Sequence, residues 1–325
     1  MTTALLFTGG TIRTISSAGV VEAVLVVGDR IAAVGSAEDC LARAPQGTQK
    51  VDLAGAALLP GFVDAHTHPL MLGQCTSWAD LTGAASIDEV VKLLREHGRL
   101  LTAGPIRGFG YDHHRLGSND AHPTAHDLDR VSDTQPVEIM HSSGHGYVVN
   151  HVALTQAGID AATATPPGGR IDRDGAGNPT GVIFDAACDL LTGAEGVKIT
   201  NHGPNLHLGE TPGVLDEMID LGQQLILGAG ITSVGDCQVT DREMTNWLRA
   251  RDDGRLRLRA TLMVLSSHLP YLAGLGLSSR LGDDWLHLGG VKLYADGALT
   301  GGTAYVPCGC AMNHRDGYLF HDADE

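Results

Sequence analysis

His66 and His68 stand two residues apart at the end of an apolar segment, LPGFVDAHTHP, residues 59–69. In a β-strand, side chains at positions i and i+2 leave the same face. Both imidazoles would then point the same way and could bind one metal ion. A bare His-x-His fits polar residues at a strand end equally well, so a metal site is a hypothesis at this point.

The segments around this motif predict how it is positioned. Apolar runs before residue 59 are broken at Gly-Gly, Gly-Asp and Gly-Ala, which predicts short strands with tight turns, so we expect residues 1–58 to form part of a small β-domain. The sequence SIDEVVKLLREHGRLL has apolar residues at helical spacing and starts with a capping-box pair, Ser86 and Glu89. From Gly230 on, GITSVGD, RLRATLMVL and GGVKLYADG alternate with helical stretches, which predicts parallel βαβ units.

These segments together resemble a known family. LPGFVDAHTHP, GHGYVVNHVALTQAGI, GGRIDRDGAGNPTGVIFDAA, GITSVGD and GGVKLYADGALTGGTAYV occur in the order typical of the amidohydrolase-3 branch of the amidohydrolase superfamily, which includes N-substituted formamide deformylases. The resemblance covers nearly the whole chain. It implies an α/β fold in which residues 59–325 form part of a TIM-like metal-dependent-hydrolase barrel and supply its first four strands.

A long stretch between the first two of these strands has strand candidates of its own, GPIRGFGYD and QPVEIMHSSGH. They could be two more barrel strands or part of an inserted, substrate-shaping segment. The resemblance favours the insertion, at about residues 104–210.

The resemblance also implies that the chain is truncated, because it stops at Glu325, soon after the fourth strand. A family member continues through four more strands, which carry two further metal-ligand histidines and the aspartate that acts as general acid and base. The segments that complete the small β-domain also lie downstream. A half barrel would expose strand edges and core surface. Completion of the barrel in a homo-oligomer is the alternative to truncation.

If the family mechanism applies, His66 and His68 bind a divalent metal as neutral imidazoles, and the ion lowers the pKa of its water from about 15.7 toward 7. Lys292, near the end of GGVKLYADG, is the second candidate. An ammonium repels a cation, so its useful form would be a carbamylated lysine that bridges two ions. The alternatives are a salt bridge with Asp296 or contact with a substrate carboxylate. Asp296 would orient Lys292 or a ligand if the strand extends that far, or would form an Asp-Gly turn.

The expected cofactor is one or two divalent ions, with zinc as the first choice, although imidazole and carboxylate-type ligands suit several metals. The substrate pocket is expected among the histidines, seven of which lie between residues 113 and 151. His113, His114, His141 and His145 are nearest to strand ends, where loops form the pocket of a barrel enzyme. His145 aligns with a Gly-His element of the family, which implies a place near the substrate. We expect His113, His114 and Asp296 to line the same pocket.

Composition excludes other classes of function. With 22 basic and 38 acidic residues, the formal charge of −16 disfavours binding to nucleic acid and to anionic membranes. No apolar stretch is long enough to span a bilayer and the start lacks the features of a secretion signal, so we expect a cytoplasmic protein. Six scattered cysteines predict reduced thiols, and the close pair Cys308 and Cys310 lacks the second pair that a structural zinc site needs.

Three hypotheses about function follow. The first is a metal-dependent hydrolase that cleaves a carbon–nitrogen bond in an amide-like small molecule, which agrees with the absence of a G-x-S-x-G elbow and of a P-loop. The second is a truncated, catalytically silent chain. The third is a non-catalytic oligomeric scaffold, and the presence of His66, His68 and Lys292 argues against it.

Overall fold

A computed structural model describes residues 3–117, 121–194, 196–205, 207–306 and 317–321. The chain forms two compact units, Met1–Val63 and Asp64–Glu325.

The first unit consists of short strands and one helix. They are β1 (Ala4–Thr8), β2 (Thr11–Arg13), β3 (Val20–Val21), β4 (Ala23–Val27), β5 (Arg30–Gly35), α1 (Ala37–Ala42), β6 (Gln49–Asp52) and β7 (Ala57–Leu58). The strands form one sheet in the order β5-β4-β1-β6 and another in the order β3-β2-β7. Gly28, in the turn between β4 and β5, has a φ of 65°, a conformation that glycine adopts without strain. The prediction of short strands with tight turns is confirmed.

The second unit alternates strands and helices. Its strands are β8 (Phe62–Thr67, starting at the boundary), β9 (Ala79–Asp80), β10 (Ile106–Tyr111), β11 (Val137–His141), β12 (Gly146–Val149), β13 (Gly169–Arg173), β14 (Pro179–Asp185), β15 (Ile231–Val239), β16 (Arg259–Leu265) and β17 (Leu286–Lys292). Its α-helices are α2 (Pro69–Thr76), α3 (Ile87–Gly98), α4 (Ala125–Asp129), α5 (His151–Gln156), α6 (Pro212–Gly228), α7 (Asp241–Asp252) and α8 (Leu269–Gly274). Short 3-10 helices cover His113–Arg115, Ala186–Thr192, Thr200–His202 and Ser266–His268.

One sheet of this unit has the strand order β17-β16-β15-β8. β15 and β16 are parallel, as are β16 and β17. Helix α7 connects the first of these pairs and α8 the second, which confirms the predicted βαβ units. Among the described residues the sheet is open, with β8 and β17 as its edges, so the topology shows a mixed α/β fold without barrel closure.

The other sheet has the order β13-β14-β12-β11-β10-β9. β9, β10 and β11 are parallel, whereas β11, β12, β14 and β13 pair antiparallel. The candidate strands GPIRGFGYD and QPVEIMHSSGH contain β10 and β11, which pair with each other in this sheet. Its central strands are buried on both faces, as the fully buried residues of β11 and β12 show.

Two close backbone contacts hold α2, the helix that follows β8, against α6. A Cβ on Gly73 of α2 would lie 1.8 Å from the Met218 carbonyl oxygen, and one on Gly222 of α6 would lie 2.0 Å from the Pro69 carbonyl oxygen. The backbones of α2 and α6 therefore touch at two glycines. Trp247 of α7 is fully buried in the core beneath the four-stranded sheet.

Helix α3 confirms the prediction made from its sequence pattern. Ser86 is its N-cap residue, and its hydroxyl accepts the Glu89 N–H at 3.2 Å. The Glu89 carboxylate accepts from the N–H of Ala85 at 2.9 Å, one residue earlier than in a standard capping box.

Candidate functional site

His66 and His68 lie where β8 gives way to α2. His66 is within the strand, and His68 follows it as the N-cap residue of α2, with φ −134° and ψ 80°. The chain turns into the helix here because Pro69 is pre-organised for its first position. The two imidazole rings meet edge to face, with their centroids 5.6 Å apart.

His66 is exposed, yet its surroundings favour the neutral imidazole. Partial desolvation, the positive charge of Lys292 and the neighbouring His68 lower the pKa of His66, and Asp64 opposes them. A neutral imidazole has a nitrogen lone pair for a metal.

Asp236 is a site residue that the sequence reasoning missed. It lies in β15 and is 1% exposed, and its Oδ1 atom is 3.8 Å from Nδ1 of His68. Both atoms are buried and neither has a hydrogen-bond partner within the described part of the chain. The other carboxylate oxygen, Oδ2, accepts the Trp247 Nε1–H at 2.9 Å, so α7 fixes the carboxylate. The available signal was an acidic residue inside the apolar strand GITSVGD.

A small cavity opens at His68 and Asp236. Its far wall contains Glu243, whose carboxylate is buried between Nε2 of His207 (3.2 Å) and Nε of Arg242 (3.1 Å). These two partners, with a hydrogen bond from Thr240, outweigh burial and lower the pKa of Glu243. This acid is therefore already paired, whereas Oδ1 of Asp236 has no hydrogen-bond partner among the described residues.

Lys292 is the last residue of β17, and its Nζ atom lies 4.3 Å from the centroid of the Tyr294 ring. The alternative of a salt bridge with Asp296 has no support among the described ion pairs. Asp296 lies beyond the end of the strand, and its Oδ2 atom accepts the Tyr305 N–H at 2.8 Å. The condition under which Asp296 would share a strand face with Lys292 is not met, because β17 ends four residues earlier.

His145 lies close to the same aromatic residue, with its ring centroid 6.0 Å from that of Tyr294. Its Nδ1 atom is 2.6 Å from Oδ1 of Asp185, which is fully buried. The Tyr318 hydroxyl donates to the other oxygen of Asp185. Asp185 has a φ of 52°, a costly conformation for a residue other than glycine. The His145–Asp185 pair is thus held rigidly, and the sequence did not single out Asp185.

The other predicted pocket histidines form a group of their own. Nδ1 of His113 and Nε2 of His141 are 3.1 Å apart, and both residues are buried. Burial, and then the proximity of His113, lower the pKa of His141 to about 4. His114 is exposed, and its ring centroid lies 3.9 Å from that of His113. Ser143 connects this group to His145, because its hydroxyl is 2.8 Å from Nδ1 of His141 and accepts the His145 N–H at 3.1 Å.

Cys40, Cys75, Cys188 and Cys237 are free thiols, as expected for a chain without a disulfide framework. Cys308 and Cys310 lie outside the described residues. None of the described helices is both long and apolar enough to cross a membrane.

Residues 49–323 match the model of the amidohydrolase family. The chain therefore belongs to this family, as the sequence motifs predicted. A shorter match, over residues 23–46, is to an imidazolonepropionase-like composite domain of bacteria.

Similar proteins are consistent with this assignment. The chain is 29% identical to the N-substituted formamide deformylase of Arthrobacter pascens, over 85% of this chain and 51% of that protein. It is 30% identical to the protein LONG AFTER FAR-RED 3 of Arabidopsis thaliana, over 92% of this chain and 51% of that protein. The chain thus spans about half the length of the curated relatives it matches.

Two solved structures share the fold. An uncharacterized metal-dependent hydrolase from Pyrococcus horikoshii OT3 superposes with a TM-score of 0.71 at 23% identity, over 99% of this chain and 61% of that one. A second, from Pyrococcus furiosus, has a TM-score of 0.68 at 25% identity, over 99% of this chain and 63% of that one. They support the mixed α/β fold over the whole length of this chain.

Proposed function

We propose that this chain carries part of the active site of a metal-dependent hydrolase that cleaves carbon–nitrogen bonds in amide-like small molecules. The metal ligands would be His66, His68 and Lys292, and zinc is the ion we favour, as one or two ions. The observation that carries the proposal is the pair of buried, unpartnered atoms Nδ1 of His68 and Oδ1 of Asp236 beside His66.

The residues present fit a metal ion. An imidazole and a carboxylate that face each other in a buried position without a hydrogen bond are costly unless something else orders them. Metal-binding histidines commonly point their second ring nitrogen at a carboxylate, which fixes the tautomer. Asp236, held by Trp247, can take that role for His68 and leave Nε2 of His68 for the metal. His66 supplies a second neutral imidazole.

A divalent ion held there would supply Lewis acidity and lower the pKa of water from about 15.7 toward 7. The residues of the chain would then position the metal ligands and the substrate. Asp236 orients His68, and Trp247 orients Asp236. His145, held by Asp185 near Tyr294, can donate a hydrogen bond to a substrate.

Lys292 needs a chemical change to be a ligand. As an ammonium it repels a metal ion and packs over the Tyr294 ring by a cation–π contact. Reaction of its neutral amine with carbon dioxide would form an N–C bond, release a proton and give a carbamate anion able to bridge two ions. We propose this carbamylated form for the metal-loaded protein.

The proposal extends to the architecture around this site. We propose that the four-stranded sheet is the first part of a TIM-like barrel and that about 104–210 is a substrate-shaping insertion. We further propose His113, His114, His145 and Asp296 as pocket residues, of which His145 has the strongest support. A cytoplasmic location, a small-molecule substrate, no nucleic-acid or membrane partner, and a homo-oligomeric state complete the proposal.

A second candidate, a catalytically silent chain, is favoured by the exposed apolar residues at the sheet edges. Leu293 is 59% exposed just after β17, and Val63 in β8 is 72% exposed. Further strands or another chain would be needed to cover them.

Metal content separates the two candidates. The purified chain is compared with the double variant His66→Ala/His68→Ala by elemental mass spectrometry, and both are assayed on a panel of N-substituted amides. The proposal predicts that one or two metal equivalents, and any hydrolysis, disappear in the variant. Equal metal content in the two proteins, both folded by circular dichroism, would contradict it.

A further inference from the structure

Three histidines that the proposed function does not use as metal ligands meet at one edge of the six-stranded sheet. His141 ends β11, His113 is in the turn after β10, and His122 precedes α4. β10 and β11 are parallel, and Tyr111 at the end of β10 pairs with His141. Their carboxyl ends therefore bring His113 and His141 to the same edge. One ring nitrogen of each of the three histidines lies within 4.8 Å of the others.

The separations are close to those of a coordinated metal. Nδ1 of His113 and Nε2 of His141 are 3.1 Å apart. Two imidazole nitrogens bound to tetrahedral zinc at 2.0–2.1 Å lie about 3.3 Å from each other. The rings of His113 and His122 are stacked with centroids 4.0 Å apart, and one ring nitrogen of His122 lies within 4.8 Å of those of His113 and His141.

The outer ring nitrogens already have hydrogen-bonding partners. Nδ1 of His122 is 3.1 Å from the Tyr111 hydroxyl, and Nδ1 of His141 is 2.8 Å from the Ser143 hydroxyl. Such second partners orient metal-binding histidines. Binding through Nε2 of His141 would move its ring proton to Nδ1, where the Ser143 oxygen accepts it. The Ser143 N–H, which donates to Nδ1 at 3.1 Å, would lose that bond.

We propose that His113, His122 and His141 form a second metal site, for a divalent transition ion of the zinc class. Three neutral imidazoles suit zinc, copper, nickel or cobalt(II) rather than magnesium or calcium, which prefer oxygen ligands. Asp112, which forms an overlapping group with His113 and His114, can supply a carboxylate beside the ion. Bound metal would join the turn after β10 to β11 and, through Ser143, brace His145.

The test measures zinc and cobalt(II) binding to the whole chain after chelator treatment and dialysis. The double variant His66→Ala/His68→Ala removes the first site and should keep one zinc equivalent at micromolar free zinc. Adding His122→Ala to this variant should raise the Kd for zinc at least about 100-fold, since even replacing a group that hydrogen-bonds to a metal ligand costs about 10–100-fold in affinity. Cobalt(II) should give visible absorption bands that vanish with the same substitution.

His126→Ala/His151→Ala is the matched control, because those residues form an exposed histidine–aspartate group with Asp129. Added to the His66→Ala/His68→Ala variant, these two substitutions should leave its one zinc equivalent in place. Near-ultraviolet circular dichroism of the metal-free proteins shows whether each variant is folded, and His141→Gln replaces His122→Ala if the latter is not. A folded His66→Ala/His68→Ala protein that binds no zinc overturns the proposal, as does one whose zinc survives both His122→Ala and His141→Gln. An unmodified chain that binds no more zinc than the His66→Ala/His68→Ala variant would instead contradict the proposed function and leave this second site standing.

Discussion

The histidines at the edges of the two sheets of the second unit differ in their burial and in their hydrogen-bond partners. At the edge of the four-stranded sheet, His68 faces Asp236 across 3.8 Å with both facing atoms unpartnered, and His66 is exposed. At the edge of the six-stranded sheet, His113 and His141 are buried and bonded to each other. Within the described part of the chain, the first arrangement leaves two polar atoms unsatisfied, whereas the ring nitrogens of the second contact each other before any metal binds. Unsatisfied polar atoms point to a metal at the first group, and the close approach of three imidazoles points to one at the second.

The sheets also differ in how deeply their apolar residues are buried. We expect the largest change in unfolding free energy when a buried one is replaced. Phe184 in β14 is fully buried, so Phe184→Ala should cost about 3–5 kcal/mol of unfolding free energy. Leu293→Ala, at an exposed residue next to β17, should change it by less than about 0.5 kcal/mol. Urea unfolding of both variants measures the difference. Similar losses in the two would mean that the edge of β17 is covered in solution.

The contact between α2 and α6 fixes the helix that starts directly after His68. Gly222→Ala should destabilise the protein by about 1–3 kcal/mol, because its new Cβ would overlap the Pro69 carbonyl oxygen. Gly228→Ala, at the end of the same helix with open space around it, should be neutral or stabilise by up to about 1 kcal/mol. Thermal unfolding checks the order. If Gly222→Ala is as stable as Gly228→Ala, the helices are not in close contact.

Trp247 connects the core to the proposed metal site. Trp247→Phe keeps most of the ring but leaves Oδ2 of Asp236 without its donor, so we expect a loss of about 1–3 kcal/mol and weaker zinc binding. Trp285→Phe, at the other end of the sheet, is the control for replacing a tryptophan. Zinc affinity that is unchanged in Trp247→Phe would show that Asp236 does not orient a ligand.

The smallest effect concerns α3, beside the six-stranded sheet. Ser86→Ala removes the acceptor of the Glu89 N–H and should cost about 1 kcal/mol, whereas Ser86→Asp should retain most of the stability. Neither change should alter zinc binding at His66 and His68. Reduced metal content in Ser86→Ala, at full folding, would show that the two sheets are energetically coupled.

Local patterns predicted the elements well. Helix α3, the short strands of the first unit and the parallel strands β15, β16 and β17 all follow from periodicity and turn residues. His66 and His68 became candidate metal ligands through their spacing together with the family resemblance of the surrounding motif, and this role stays a prediction. Whether Asp296 shares a strand face with Lys292 could not be predicted, because no local signal in GGVKLYADG marks where β17 ends.

The partners of the site could not be predicted in the same way. His68 and Asp236 are 168 residues apart in sequence, and His145 and Asp185 are 40 apart, so only the folded sheets bring them together. Nothing in the local sequence shows that Oδ1 of Asp236 lacks a hydrogen-bond partner among the described residues while the Glu243 carboxylate is paired with His207 and Arg242. The difference depends on burial and on α7, which are tertiary properties.

The most direct test of the central claim is a crystal of the chain soaked with zinc and measured at the zinc absorption edge. The account predicts an anomalous peak about 2.0–2.1 Å from one ring nitrogen each of His66 and His68, with Asp236 on the opposite side of the His68 ring. Well-ordered density for both histidines with no peak between them would contradict it.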